Sequence, residues 1–465
     1  MEDEFTPTLE EQKVIAAAAR GEGADFSSSD PAQNDASQGA AWGQERTVRA
    51  EFIRALATGA SSDWPVHAKG VRVKGAKISG QLDFEAAKIP CPLHLIGCNF
   101  EKSIVFENAS AHSIDLTGSF LPGGLDAAGL RVDHNLILRG AFTAKGDVRL
   151  LGANIGGQLS CEGGNFENPS GKALTADGLQ VKGDVFLSDK FTAKGEVRLP
   201  GATVGGQLSC IGGNFENPSG KALNADQIEV TESVFLSDKF TAKGEVRLPG
   251  ATVGGQLSCI GGTFENPRGY ALTAHGLQVK GDIFLSDKFA AKGEVNLLGA
   301  TVGGQLACEG GNFENPGGDA LNANAMEVKG PVFLSHKFAA KGEVRLLGAT
   351  VGGQLNCNGG NFENPGGSAL NADQMDVKGS VFLSDKFTAK GDVGLSGASI
   401  GGELSCEAGN FENPNGYALN AGNIRVTGNV FLRGGFTAKG IVSLWSASIG
   451  GSLRCANATF ENAKG

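Results

Sequence analysis

The sequence predicts an all-β chain: a right-handed parallel β-helix (β-solenoid) of about 24 residues per coil, with a small α-helical cap at its N-terminus. Three observations carry this. From Phe142 onward one unit recurs every 49 residues without insertion or deletion, marked by Cys161, Cys210, Cys259, Cys308, Cys357, Cys406 and Cys455. Each unit divides into two related halves of near-equal length, VGGQLSCIGGNF from Val204 aligning with VTESVFLSDKF from Val230. Each half holds three short alternating segments, such as Val197-Arg198-Leu199, Ala202-Thr203-Val204 and Leu208-Ser209-Cys210. Alternation at period two is a strand signal, and Gly and Asn-Pro between the segments are turn signals.

Along the chain, residues 1–60 read as the cap. TLEEQKVIAAAARG starts a helix at Thr8, with Glu11 three residues later, and ends it at Gly21. QERTVRAEFIRALATG places Val48, Phe52, Ile53 and Leu56 on one helical face. GADFSSSDPAQNDASQGAA between them reads as a polar loop. A solenoid needs its first strand edge covered, and these helices are the expected cover. Residues 61–141 read as shorter, diverged coils (GVRVKGAKISGQLDF, PLHLIGCNF), and 142–465 as the double-coil repeats. About 17 coils stacked at roughly 4.8 Å predict a rod of roughly 80 Å.

The string GEVRLLGAxxGGQL-C-GGxFENPxGxALxADxxxVxGxVFL resembles an uncharacterised, widespread family of bacterial β-solenoid repeat proteins, sometimes labelled membrane-associated oxidoreductase. WGQERTVRAEFIRALATG followed by KGVRVKGAKISGQLDF is similar to that family's start. The resemblance covers nearly the whole chain and implies a β-solenoid. Some members continue into a C-terminal membrane-associated region, of which this sequence shows none. More distantly the coils are similar to pentapeptide-repeat and bactofilin-type solenoids, without the period of five.

Composition narrows the function. Gly, at 72 of 465 residues, is about twice average usage, but no Gly-X-Y period makes it collagen. The net charge of −10 is spread along the chain. General nucleic-acid binding needs a basic footprint and is disfavoured. The sequence has neither a secretory apolar stretch after Met1 nor a run of 18 apolar residues, so the cytoplasm is the expected location.

The residues give no cofactor site. No G-x-G-x-x-G opens a helix and there is no C-x-x-C, so the oxidoreductase label finds no support. Gly171-Lys172-Ala173 lacks the rest of a phosphate loop. The repeat cysteines are expected as reduced core residues. Successive ones lie two coils, roughly 10 Å, apart, whereas a disulfide needs Cα atoms within about 7 Å. Cys91, His94 and Cys98 have ligand-like spacing, but alternation turns His94 out beside inward Leu93 and Leu95, so no metal is expected.

Carboxylates form a ladder at Glu167, Glu216, Glu265, Glu314, Glu363 and Glu412, and lysines another at Lys194, Lys243, Lys292, Lys341 and Lys390. A ladder repeats one residue and does not converge on a substrate. Thr203, Thr252, Thr301 and Thr350 lack the second threonine rank that ice binding needs. One series stands out. Between inward Val234 and Leu236, Phe235 should face out, and so should Phe186, Phe284, Phe333, Phe382 and Phe431. Ser160, Ser209, Ser258, Ala307, Asn356 and Ser405 hold the matching place in alternate coils. An exposed apolar stripe marks a contact site.

The leading expectation is therefore a non-enzymatic repeat scaffold or protein-binding rod. Its partner is an unknown protein or a second copy of the chain. A final coil lined by Leu453, Cys455 and Phe460 adds the expectation of an end-to-end or side-to-side dimer. The alternatives are a carbohydrate-active β-helix enzyme, an acidic solenoid mimicking DNA and a self-assembling structural protein.

Overall fold

Most strands of this chain are only two residues long, too short to stand alone, and their stability comes from stacking in register. The computed structural model describes residues 6–462. The chain divides into two compact units, Met1–Asn224 with Ile228–Val230 and Ala225–Gln227 with Thr231–Gly465. Each is a parallel β-solenoid, and together they hold about 17 coils.

In the first unit, helix α1 (Leu9–Arg20) is bounded as the sequence predicts. The Thr8 side chain accepts from the Glu11 N–H, the Glu11 carboxylate accepts from the Thr8 N–H, and Gly21 closes the helix at φ 68°. Two short strands follow where sequence reading placed a loop and a helix: β1 (Ala24–Asp25) and β2 (Thr47–Arg49). Helix α2 covers only Ala50–Thr58, so Val48 is a strand residue and not part of the helical face. The first coil opens with β3 (Val71–Lys74) and β4 (Lys77–Ser79). β1 pairs with β3 and β2 with β4, so the cap covers the first coil with added strands as well as with helices.

Coil length is read from the ladder. From Val71 the register steps to Leu93, Ile114, Leu136 and Leu159, all short coils of nearly equal length. The next step, from Leu159 to Val185, is longer than any of these, and the one after it, from Val185 to Leu208, is short again. The repeat is thus a long coil plus a short one and not two near-equal halves. The surplus is a loop. In the 11-residue strand Asn165–Thr175 the register with the next coil slips between Glu167 and Lys172. Asn168 closes the excursion by donating Nδ2–H to the Lys172 carbonyl at 2.9 Å.

The diverged coils have four strands and not three, for example Phe120–Leu121, Leu125–Asp126, Arg131–Val132 and Leu136–Ile137. In the repeats the first two sides merge into one long strand, such as Thr192–Arg198. Gly195 turns the corner between them at φ 118°. A Cβ there would lie 2.4 Å from the Asn168 carbonyl oxygen, so only glycine fits.

The cores are inward ladders. Phe142, Phe166, Phe191 and Phe215 stack at 5.1–5.6 Å in the first unit. Phe240 to Phe460 do so in the second, ten rings at one per coil. Fully burying a phenylalanine contributes about 1.5–3 kcal/mol. Six of the seven repeat cysteines are buried, with a leucine such as Leu187 on the intervening coil. Cys455 is exposed with Leu453 and Phe460, as expected of the last coil, on which no further coil stacks among the described residues.

Candidate functional site

Strand pairing fixes the outward column that holds the candidate phenylalanines. In the first unit Phe186 is in register with Ser160 and Ser209. In the second the column runs Phe235, Ser258, Phe284, Ala307, Phe333, Asn356, Phe382, Ser405, Phe431, Arg454. All six phenylalanines are half-buried, while the small residues beside them are not: Ser160, Ser209, Ser258, Ala307 and Ser405 are at most 4% exposed. Ser160 donates its hydroxyl to Glu162, and Ser405 lies against the buried Ser384 hydroxyl. In the second unit the column thus alternates half-buried rings with small or polar residues. The Arg433 guanidinium lies 4.4 Å and that of Arg454 5.8 Å from the Phe431 ring centre.

The charged ladders are one column and not two. Lys292, Lys341, Lys390 and Lys439 pair with Glu265, Glu314, Glu363 and Glu412 of the preceding coil at 2.8–3.1 Å. In the first unit Glu167 sits between Lys145 and Lys194. Hydrogen bonds from Lys145 and Asn165 hold its carboxyl down at about 2. Glu167 in the first unit and Glu265, Glu314, Glu363 and Glu412 in the second are thus each paired with a lysine.

A local acidic cluster, Asp319 with Glu294 and Glu343, escaped the sequence reading. The residue after each Asn-Pro-x-Gly varies as Lys172, Lys221, Tyr270, Asp319, Ser368 and Tyr417. Asp319 faces Glu343 in register and influences Glu294 on the other side. Burial, and then Asp319, push Glu294 above the ordinary carboxylate range, and burial does the same to Glu343. Arg345 pairs with Asp319 at 3.3 Å. The signal in the sequence was the departure from the repeat at this one position.

Cys91, His94 and Cys98 do not converge. Cys98 is buried, and burial pushes its thiol up to about 12. His94 faces out, with Nδ1 3.6 Å from Asp115 Oδ2. Among the described residues no group of three or more His, Cys, Asp or Glu could hold a metal ion. No described helix is long and apolar enough to cross a membrane.

Fold and surface together define a parallel β-solenoid repeat protein. No family model matches the chain, and no curated protein and no solved structure matches it.

Proposed function

We propose that the chain is a non-enzymatic scaffold that presents its outward phenylalanines, Phe186 in the first unit and Phe235 to Phe431 in the second, to a protein partner. The observation that supports this is the alternation in register of half-buried outward rings with small residues, mostly buried serines. Outward apolar surface of this kind is a contact feature. The alternating Lys/Glu column favours this reading over an acidic mimic of DNA, which needs an unpaired anionic rail. We place the chain with the bacterial β-solenoid repeat family it resembles in motif, and in the cytoplasm.

The test is a side-by-side capture of partners by the wild type, by Phe235→Ser/Phe284→Ser/Phe333→Ser, and by Thr252→Ala/Thr301→Ala/Thr350→Ala on another face. A partner lost only from the phenylalanine variant, with the fold intact, supports the reading. Equal capture by all three sinks it.

A second reading, glycan cleavage, draws on Asp319. Neighbouring coils place residues in register at about 4.8 Å, close to the carboxyl separation of about 5–5.5 Å in retaining glycosidases. Glu343, in register with Asp319 and raised by burial, suits a general acid. Reducing-sugar release that vanishes in Asp319→Asn would favour it.

A further inference from the structure

The first coil of the solenoid is covered over only part of its edge. β1 pairs with Val73 and Lys74 and stops short of Arg72. Gly23, just before β1, puts no side chain there; a Cβ on it would meet the Arg72 Cβ at an ordinary 3.6 Å. The space left is a cleft of about 280 Å³ lined by Gly23, Ala24, Arg72, His94 and Ile96, with the Asp25 and Lys74 pair at its rim.

Arg72, His94 and Asp115 hold the same outward position in three consecutive coils. Asp115 is fixed by Thr117, accepting from its N–H at 2.9 Å and from its hydroxyl at 2.5 Å. Its Oδ2 lies 3.6 Å from His94 Nδ1, which leaves Nε2 free of that contact. Arg72 Nε is buried and has no hydrogen-bond partner among the described residues. A buried guanidinium donor without an acceptor is costly, and native proteins keep few such groups.

The charges decide the ligand. Lys74 is paired with Asp25 at 3.0 Å, and His94 with Asp115. Arg72 is the cation of the cleft with no partner among the described residues, so its guanidinium is the group that a small anion would meet. A carboxylate is such an anion, and its planar pair of oxygens matches the guanidinium fork. Ala24 and Ile96 supply an apolar flank, which suits a short aliphatic chain. We propose that this cleft is a binding site for a small monocarboxylate, held by Arg72 with His94 beside it. The site is independent of the phenylalanine column.

The experiment follows the ring signals of the six histidines by NMR while acetate is titrated at constant ionic strength. His94 is assigned through His94→Gln. The expected result is a saturable shift of His94 alone, with affinity at least about tenfold weaker in Arg72→Met. Gly23→Ile, which fills the cleft and keeps Arg72, should weaken it likewise. It decides the matter if Arg72→Met fails to fold. Absence of a saturable shift, or an unchanged one in the folded variants, overturns the site. Inorganic phosphate binding more tightly than acetate overturns the monocarboxylate.

Discussion

Arg49 grips Glu11 through both carboxylate oxygens, Nε to Oε1 at 2.8 Å and Nη2 to Oε2 at 2.6 Å. Glu11 is fully buried and also closes the N-terminal capping box of α1, so one side chain ties that helix to β2. Burial alone would raise the Glu11 carboxyl, but hydrogen bonds from Arg49 and from the Thr8 N–H outweigh it and hold it below 4.5.

Glu11→Gln keeps the capping geometry and removes the charge. Breaking a fully buried pair costs about 3–5 kcal/mol. Arg49 stays one-third exposed, so about 2 kcal/mol is expected here. Hydrogen exchange should rise in α1 while the repeat coils keep their protection; unchanged exchange in α1 would refute the anchor. Because the folded pKa is depressed, the contribution is present above pH 4.5. It is lost as the pH falls through the lower folded value.

Phe284 and Phe289 lie close in sequence and should respond in opposite ways. Phe289 is an inward ring stacked between Phe264 and Phe313 at 5.2 and 5.1 Å. Phe289→Ala should cost about 3–5 kcal/mol. Phe284 faces out between Ser258 and Ala307, so Phe284→Ser should cost no more than about 1 kcal/mol. Denaturant midpoints of the two variants settle it. Similar losses would make Phe284 a core residue and end its role as a contact.

Much of this was legible because a strict repeat reports its own geometry. Alternation in Val185-Phe186-Leu187 is enough to turn Phe186 outward, and the regular spacing of the repeat cysteines excludes disulfides between neighbours. The division of the repeat into a long coil and a short one was hidden, because the Asn168–Gly171 loop adds length without entering the ladder. Val48, Phe52 and Leu56 have helical spacing, which pattern alone cannot separate from a strand running into a helix. Pairing with Ile78 holds Val48 extended. His94 stood out only beside Cys91 and Cys98, since its stacking with Arg72 and Asp115 depends on pairing between coils whose sequences diverge.

The thiols should fall into two kinetic classes. Cys98, Cys161, Cys210, Cys259, Cys308, Cys357 and Cys406 are free and buried, and burial pushes their thiols up, out of the range where thiolate forms near neutral pH. Cys455 is exposed and Cys91 half-buried. An alkylating reagent on the native protein should modify Cys455 first and Cys91 more slowly, leaving the other seven until denaturant is added. Peptide mass mapping reads this directly, and early labelling of Cys308 would contradict the stacked core.

Glu294 gives a prediction whose sign depends on pH. Burial and then the nearby Asp319 raise its carboxyl above 4.5, while Asn296, Asn322 and Arg345 pull the other way without cancelling the rise. A raised acid favours the folded state only while it stays protonated. Its ionised form therefore costs stability at pH 7, and that cost disappears below the unfolded value of 4.5. Glu294→Gln keeps the shape and removes the charge next to Asp319. The variant should be more stable than wild type at pH 7, by about 1 kcal/mol. The gain should shrink through pH 5 and vanish near pH 3.5. In the Asp319→Asn background the gain from Glu294→Gln should be smaller, because Asp319→Asn has already removed the same repulsion. Urea midpoints of the two single variants and the double variant at both pH values provide the check. A Glu294→Gln variant that is destabilised at pH 7 would show that Glu294 is held by a favourable contact and not crowded by Asp319.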